Sequence, residues 1–234
     1  LWNASVFASN LLANFDPKST VQPDYQLLDK WILSKTENMT KKVTDSFERC
    51  QFNIAIEDIR NFTWHVLCDF YLEAVKDRLY RPEAYGETNA AAAQRTLYEV
   101  LYRMLQLLAP VVPHMTEEIY HYMYKDGKGF ESIQVSEWPQ FNLALVDDAA
   151  ERGGDLVTAV MSEIRRDKAE NKKPLNAPIK NLTVTAKDEA SAATIHQAEA
   201  DIKSTLKIEA MTIQTGVSEG RQVGQYEVTI KPEY

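Results

Sequence analysis

The densest set of side chains able to do chemistry lies between Arg165 and Lys180. Arg165, Arg166, Lys168, Lys172, Lys173 and Lys180 outnumber Asp167 and Glu170 there. Guanidinium and ammonium groups at this density suit phosphate oxygens, which they grip without reading base sequence. The same run also suits a solvated helix end, because cations favour the negative end of the macrodipole. A second basic set, Lys30, Lys35, Lys41, Lys42 and Arg49, sits nearer the start. Trp2, Phe7 and Trp31 lie within or before it, and their rings can either stack on unpaired bases or fill a core.

Bond-making chemistry finds no comparable set. The sequence has no P-loop, GxGxxG or HExxH pattern. Its four histidines, His65, His114, His121 and His196, are scattered. His114 has no second His, Cys or carboxylate at ligand spacing, and His65 beside Trp64 reads as a hydrogen-bonded helix residue. Paired carboxylates such as Glu117-Glu118 suit the positive end of a helix. The chain as given is therefore expected to be non-catalytic, with no metal or cofactor of its own.

Composition sets the class. At 234 residues the chain can bury one large or two modest cores. A net charge of −8 argues against non-specific adhesion to nucleic acid, so any RNA contact has to come from a local basic face. Cys50 and Cys68 lack metal spacing and read as reduced core residues of a cytoplasmic protein. No apolar run has the length of a membrane span, and no basic flank precedes an apolar signal-like run. The chain opens on Leu1-Trp2-Asn3 as though in mid-helix, which suggests a fragment of a longer protein.

The elements that must carry these residues are mainly helical. A helix is predicted over Leu1 to Phe15, with Trp2, Phe7 and Leu11 on one side. A second opens at Asp24 or Leu27 and runs to about Cys50, with Leu28, Ile32, Lys35, Met39, Val43 and Phe47 stepping along it. A third runs from about Ile54 to Tyr80, burying Ile56, Ile59, Phe62 or Thr63, Val66, Phe70 and Ala74. The fourth, Asn89 to Ala109, aligns Leu97, Leu101, Leu105 and Leu108. Pro110 stops it, Pro113 stiffens the corner, and Thr116 is placed to cap a fifth helix. Ser132 to Val135 reads as a short extended piece. The aromatics thin out after Phe141. A long helix follows from Asp147 to about Asn171, carrying Leu156, Val160 and Ile164. Then come a strand at Leu182–Thr185, a helix at Ala190–Thr205, and strands at Ile208–Thr215 and Val223–Ile230. The expected fold class is mainly α: an antiparallel helical bundle over 1–141, then a small α+β domain over 142–234.

Several of these stretches together carry a resemblance. Leu1-Trp2-Asn3-Ala4-Ser5 opens one helix, and Leu28-Asp29-Lys30-Trp31-Ile32-Leu33-Ser34-Lys35 opens the next. Phe62 to Tyr80, containing Trp64-His65 and Cys68-Asp69-Phe70-Tyr71-Leu72-Glu73, ends the third. Leu108 to Tyr120 makes the corner, and Ser132 to Pro139 closes the set. In this order and spacing they resemble the tRNA anticodon-binding domain of class I aminoacyl-tRNA synthetases of the valyl, isoleucyl and leucyl group, over about residues 1 to 140. Cys68 to Glu73 followed by Lys76 resembles the valyl branch of archaeal or eukaryotic kind, where isoleucyl enzymes carry Ser-x-Trp-Tyr. Pro174 to Ile179 resembles the start of the extension that follows the bundle. Val6 departs from the pattern, since many valyl enzymes have Arg there.

The resemblance implies a parent enzyme that uses ATP to activate valine, transfers it to tRNA, and hydrolyses mischarged threonine. The family's HIGH and KMSKS signatures belong to a catalytic domain, and neither occurs here. ATP and Mg are thus implied for that domain, and tRNA recognition for this chain. The implied partners are valine tRNA isoacceptors and the catalytic domain of the same polypeptide, with no membrane. Asn3, Phe7, Lys35 and Lys42 are the candidates for the anticodon. Arg165, Arg166, Lys172 and Lys173 are those for the backbone. Trp64, Asp69 and Tyr71 are assigned to holding the bundle together. Two other readings fit the same residues: the equivalent role in an isoleucyl enzyme, and a helical protein-interaction module without RNA.

Overall fold

Helical periodicity governs the first part of the chain, and the fold, a computed structural model, describes all 234 residues. Two compact units result: Leu1–Tyr25 with Asp29–Asp147, and Gln26–Leu28 with Asp148–Tyr234.

The first unit is a helical bundle. It contains α1 (Trp2–Leu11), most of α2 (Leu27–Glu48), α3 (Phe52–Asn61), a π-helical stretch (Phe62–Leu72), α4 (Glu73–Tyr80), α5 (Pro82–Tyr85), α6 (Glu87–Leu108), α7 (Pro113–Met123) and α8 (Lys125–Lys128). Helix α6 is the axis, touching α1, α3, α4, α5 and α7. Its sequence explains that position. Ala90, Ala92 and Ala93 let neighbours approach, and Leu97, Val100, Leu101, Met104, Leu105 and Leu107 are all buried, leaving Arg95, Glu99, Arg103 and Gln106 as a half-buried polar stripe. Tyr98 and Tyr102 of α6 lie 4.6 and 5.1 Å from the ring of Tyr124. Lys128 stands 4.5 Å above Tyr102 while its ammonium holds Glu99 at 2.8 Å.

A buried ion pair crosses this bundle. Arg78 of α4 donates from both terminal nitrogens to the Asp29 carboxylate of α2, each at 2.9 Å. Tyr71 donates to the same carboxylate at 2.7 Å, and Arg78 reaches Asn89 at the start of α6 at 3.1 Å. The placement of Tyr71 in the bundle interior follows the expectation.

Several local expectations need correction. The third helix is not α-helical throughout. From Phe62 to Leu72 its hydrogen bonds span five residues, so the buried stripe moves to Leu67, Tyr71, Leu72 and Val75, while Val66 and Phe70 are half-buried. Thr116 does not cap α7. Pro113, with its φ preset, starts the helix at N1, and the Thr116 hydroxyl is buried inside, donating to the Val112 and Pro113 carbonyls. Glu117, then, is not in the first turn but binds His121 at 2.8 Å and the Ser132 hydroxyl at 2.8 Å. Ile133–Val135 is a 3₁₀ turn, not an extended piece, because Ser132 caps it by accepting the Gln134 N–H. Cys50 is exposed in a left-handed turn (φ 57°) between α2 and α3, whereas Cys68 is half-buried with its thiol pKa raised by burial; both are free thiols.

The stretch after Phe141 binds to α2 through two side-chain acceptors: Glu37 takes the Asn142 N–H at 2.7 Å and Ser34 takes the Asp147 N–H at 2.9 Å.

The second unit holds α9 (Asp148–Glu170), β1 (Ile179–Ala186), α10 (Glu189–Gln197), α11 (Glu199–Leu206), β2 (Ile208–Thr215), β3 (Arg221–Gln222) and β4 (Val228–Glu233). The sheet order is β2-β1-β4-β3, with β1 parallel to β2 and the other pairs antiparallel. Val184 sits at the centre, opposite Ile213 on one side and Ile230 on the other. Leu156, Val160 and Ile164 of α9 are buried as the spacing predicts. The last predicted strand is split: Gly224 adopts φ 51° in a turn between β3 and β4. No helix is long and apolar enough to cross a membrane.

Candidate nucleic-acid interface

In the first unit the anticodon candidates lie on α1 and α2. Asn3 is exposed, and Phe7, one turn further on, is half-buried. The Lys76 ammonium of α4 lies 5.0 Å from the Phe7 ring centroid, so an ammonium already takes up one side of that ring. Lys35 is half-buried on the apolar stripe of α2. Lys42 is exposed and ion-paired at 2.8 Å with Asp58 of α3. The structure thus turns Phe7 towards α4 and Lys42 towards α3.

The aromatics are sorted differently from expectation. Trp31 is 3% exposed and packs in the core, which removes it from base stacking. Trp64, assigned to holding the bundle, is 65% exposed. It lies off the stripe of Ile59, Phe62 and Val66, and the wider turns of the π-helical stretch carry Leu67 rather than Val66 inward. Helical spacing of 3.6 residues gives no signal for this. Asp69 is half-buried at the surface, where it binds His65 at 3.2 Å. Trp2 and Trp64 are therefore the indole rings whose faces are open to an unpaired base.

The second unit carries the basic segment. Arg165 is half-buried, while Arg166, Lys172 and Lys173 are exposed. Arg166 is taken up by Glu170 one turn away at 3.1 Å. Lys172 adopts φ 53°, ending the helix in a left-handed turn. Lys173 lies 4.5 Å over the ring of Tyr234, whose hydroxyl donates to Asp167. Lys168, which the sequence groups with these surface cations, is buried at 0% exposure. Its ammonium donates to the carbonyls of Leu175, Ala177 and Leu206 at 2.9, 2.7 and 2.8 Å, and burial, then Arg165, lowers its pKa.

Arg221 of β3 neutralises the acidic side of α9. It binds Glu163, lies 3.7 Å from Asp167, and reaches Glu170 at 2.6 Å. Hydrogen bonding from Arg221 is the main cause that lowers the Glu170 pKa to about 2. Hydrogen bonds to Glu170 first and then Glu163 push the guanidinium of Arg221 upward. No sequence spacing announces this contact, because Arg221 lies in a distant hairpin.

Catalytic arrangements do not emerge from the histidines. His65 and His121 each pair with a carboxylate four residues along the same helical segment, and His196 at the end of α10 pairs with Glu199 at the start of α11. Ser132, Glu117 and His121 form a chain, but the carboxylate sits in the middle, so the imidazole cannot take the serine proton as a triad requires. No three His, Cys, Asp or Glu side chains are grouped to hold a metal ion.

A helical bundle that shows indole rings and lysines to solvent, joined in sequence to a small α+β unit with a basic end, is the build of a domain that holds RNA by stacking and phosphate contact. Comparison with known proteins makes this specific. A model of the family described as the anticodon-binding domain of tRNA ligase matches residues 29–184, and the chain belongs to that family. A valine–tRNA ligase of Pyrococcus furiosus is 35% identical over 234 residues, which is 100% of this chain and 25% of that protein. One from Methanothermobacter thermautotrophicus is 40% identical over 218 residues, 93% of this chain and 23% of that protein. One from Clostridium acetobutylicum is 34% identical over 195 residues, 82% and 21% respectively. The chain spans about a quarter of the length of the relatives it matches.

Proposed function

We propose that this chain is the anticodon-arm-recognising part of a valine–tRNA ligase, a cytoplasmic enzyme that charges valine tRNA using ATP and Mg held in other parts of the polypeptide. The observation that carries this reading is the similarity to valine–tRNA ligases along the whole chain. Membership of the anticodon-binding family supports it. In this reading Asn3, Phe7, Lys35 and Lys42 face the anticodon, with Trp64 as an added stacking surface. Arg165, Arg166, Lys172 and Lys173 serve the phosphate backbone.

The test is a titration of the chain with transcripts of valine and isoleucine tRNA at several salt concentrations. Binding that favours the valine transcript and weakens steeply with salt is expected, since phosphate contacts release counterions. Equal affinity for both tRNAs would remove valine selectivity from this chain. Absence of binding at low ionic strength would remove the RNA role. Charging assays on a full-length ligase containing this sequence then compare valine with isoleucine.

A further inference from the structure

The buried ammonium of Lys168 does more than terminate a helix. It is the meeting point of three carbonyls from two separate segments: Leu175 and Ala177 of the loop after α9, and Leu206 at the end of α11. Each carbonyl sits close in sequence to an exposed lysine. Lys172 and Lys173 precede Leu175, Lys180 follows Ala177 by three residues, and Lys207 is next to Leu206. Because the three oxygens lie within 2.9 Å of one nitrogen, the four lysines are drawn to one end of the unit. A backbone bond reinforces this, the Ile179 N–H donating to the Lys207 carbonyl at 2.9 Å. A second ties Lys173 N–H to the Lys168 carbonyl at 2.8 Å.

The neighbouring anions form no ion pair with these charges, although Glu209 stands beside Lys180 in the β1–β2 register and Glu233 lies opposite Asn181. Glu163 and Glu170 are held by Arg221, with Asp167 beside them, and Arg166 shares Glu170. Lys172, Lys180 and Lys207 enter no ion pair, and Lys173 meets only the face of Tyr234. Helix ends explain a cation after α9 and after α11, through the C-terminal dipoles. They do not explain Lys180, which lies on a strand. Like charges collected on a fixed frame suit a ligand with spaced anionic groups, and a folded RNA presents these as phosphates.

We propose that the end of the second unit formed by Lys172, Lys173, Lys180 and Lys207 is a docking surface for the phosphate backbone of tRNA, and that Lys168 beneath it is the positioning residue that holds this surface in shape. This rests on the RNA reading above and adds to it two cations, Lys180 and Lys207, and the buried frame that organises them.

The experiment measures affinity of the chain for a valine tRNA transcript across a salt series, for wild type, Lys180→Glu/Lys207→Glu and Lys168→Met. The charge-reversal variant changes only exposed side chains, so its fold is checked by an unchanged circular dichroism spectrum and melt. It is expected to bind at least tenfold more weakly near 100 mM salt, with a shallower salt slope, since each lost phosphate contact lowers that slope by about 0.7–0.9. Lys168→Met is expected to flatten the salt slope as well and to speed amide exchange at Ala177 and Ile179. A residue important only for stability would lower the melting temperature and leave the slope alone. An unchanged affinity and slope in the charge-reversal variant overturns the proposal. So does a Lys168→Met protein that folds and keeps the full slope. Should Lys168→Met fail to fold, the surface variant decides by itself. Failure of the wild type to bind the transcript sinks the RNA reading instead, which keeps the two outcomes apart.

Discussion

Breaking the Asp29–Arg78 pair should unfold the bundle far more readily than its surface ion pairs suggest. The two side chains are 0% and 1% exposed, and two hydrogen bonds of 2.9 Å join them. Replacing Arg78 by Met keeps much of the volume but leaves a carboxylate in the interior with the Tyr71 hydroxyl on it. Removing one partner of a buried pair costs about 3–5 kcal/mol, because the survivor stays desolvated. For a unit of this size that lowers the melting temperature by about 10 °C, at roughly 3 °C per kcal/mol. Asp29→Ala should cost a similar amount, and Tyr71→Phe less, about 1.5–3 kcal/mol, for a hydrogen bond to a charged acceptor. The double variant Asp29→Leu/Arg78→Met removes both charges, so it should lie far closer to wild type than the sum of the single variants. Tryptophan fluorescence in a urea titration reads this cleanly, since Trp2, Trp31, Trp64 and Trp138 all lie in the first unit. Single variants costing less than about 1 kcal/mol, or a double variant whose cost is the simple sum, would refute the assignment of a strongly coupled buried pair.

Other consequences are quicker to check. Tyr98 buries its hydroxyl without a hydrogen-bond partner, so Tyr98→Phe should leave stability unchanged or raise it, as thermal melts will register. A Cβ on Gly127 would lie 2.5 Å from that hydroxyl, so Gly127→Ala should cost about 1–3 kcal/mol, and adding Tyr98→Phe should recover much of it. Trp64→Ala should shift stability by no more than about 0.5 kcal/mol, given its exposure, while weakening tRNA binding; a large loss of stability would return this ring to the core. Glu170 has a folded-state pKa lowered to about 2 from 4.5, so its contribution is fully present above pH 4.5 and is lost as pH falls towards 2. A carboxyl-carbon NMR titration should show the low midpoint in the wild type, and Arg221→Met should move it back up.

Elements with an uninterrupted 3.6-residue pattern were legible from the sequence. Leu97, Leu101 and Leu105 on α6, and Leu156, Val160 and Ile164 on α9, face inward as their spacing requires. What escaped is what depends on backbone hydrogen bonding or on distant partners. A count by 3.6 puts Val66 and Phe70 in the stripe, and the π-helical register puts Leu67 and Tyr71 there instead. Thr116 has the chemistry of a cap, but Pro113 had already begun the helix. Lys168 is chemically indistinguishable in sequence from Lys172, yet its three carbonyl acceptors come from loops and a helix end that only the fold assembles. Arg166 and Lys173 are exposed as a basic face needs, while Glu170 and Tyr234 engage them in ways no spacing shows. Residue type alone cannot say how the anticodon candidates Asn3, Phe7, Lys35 and Lys42 are placed, and the fold distributes them over two helices with different neighbours.

The wide turns between Phe62 and Leu72 also make the bundle sensitive to chain length at that point. An α-helix advances about 100° per residue, and a five-residue hydrogen-bond pattern advances less, so α4 emerges at an azimuth set by how many residues adopt it. Relaxation to ordinary helix with the same number of residues would swing everything downstream around its axis. Val75, Arg78 and Leu79 would leave the interior together, and the guanidinium would point away from Asp29. Length and turn width in this segment are thus matched to one another, and a change in either without the other is felt a full helix away.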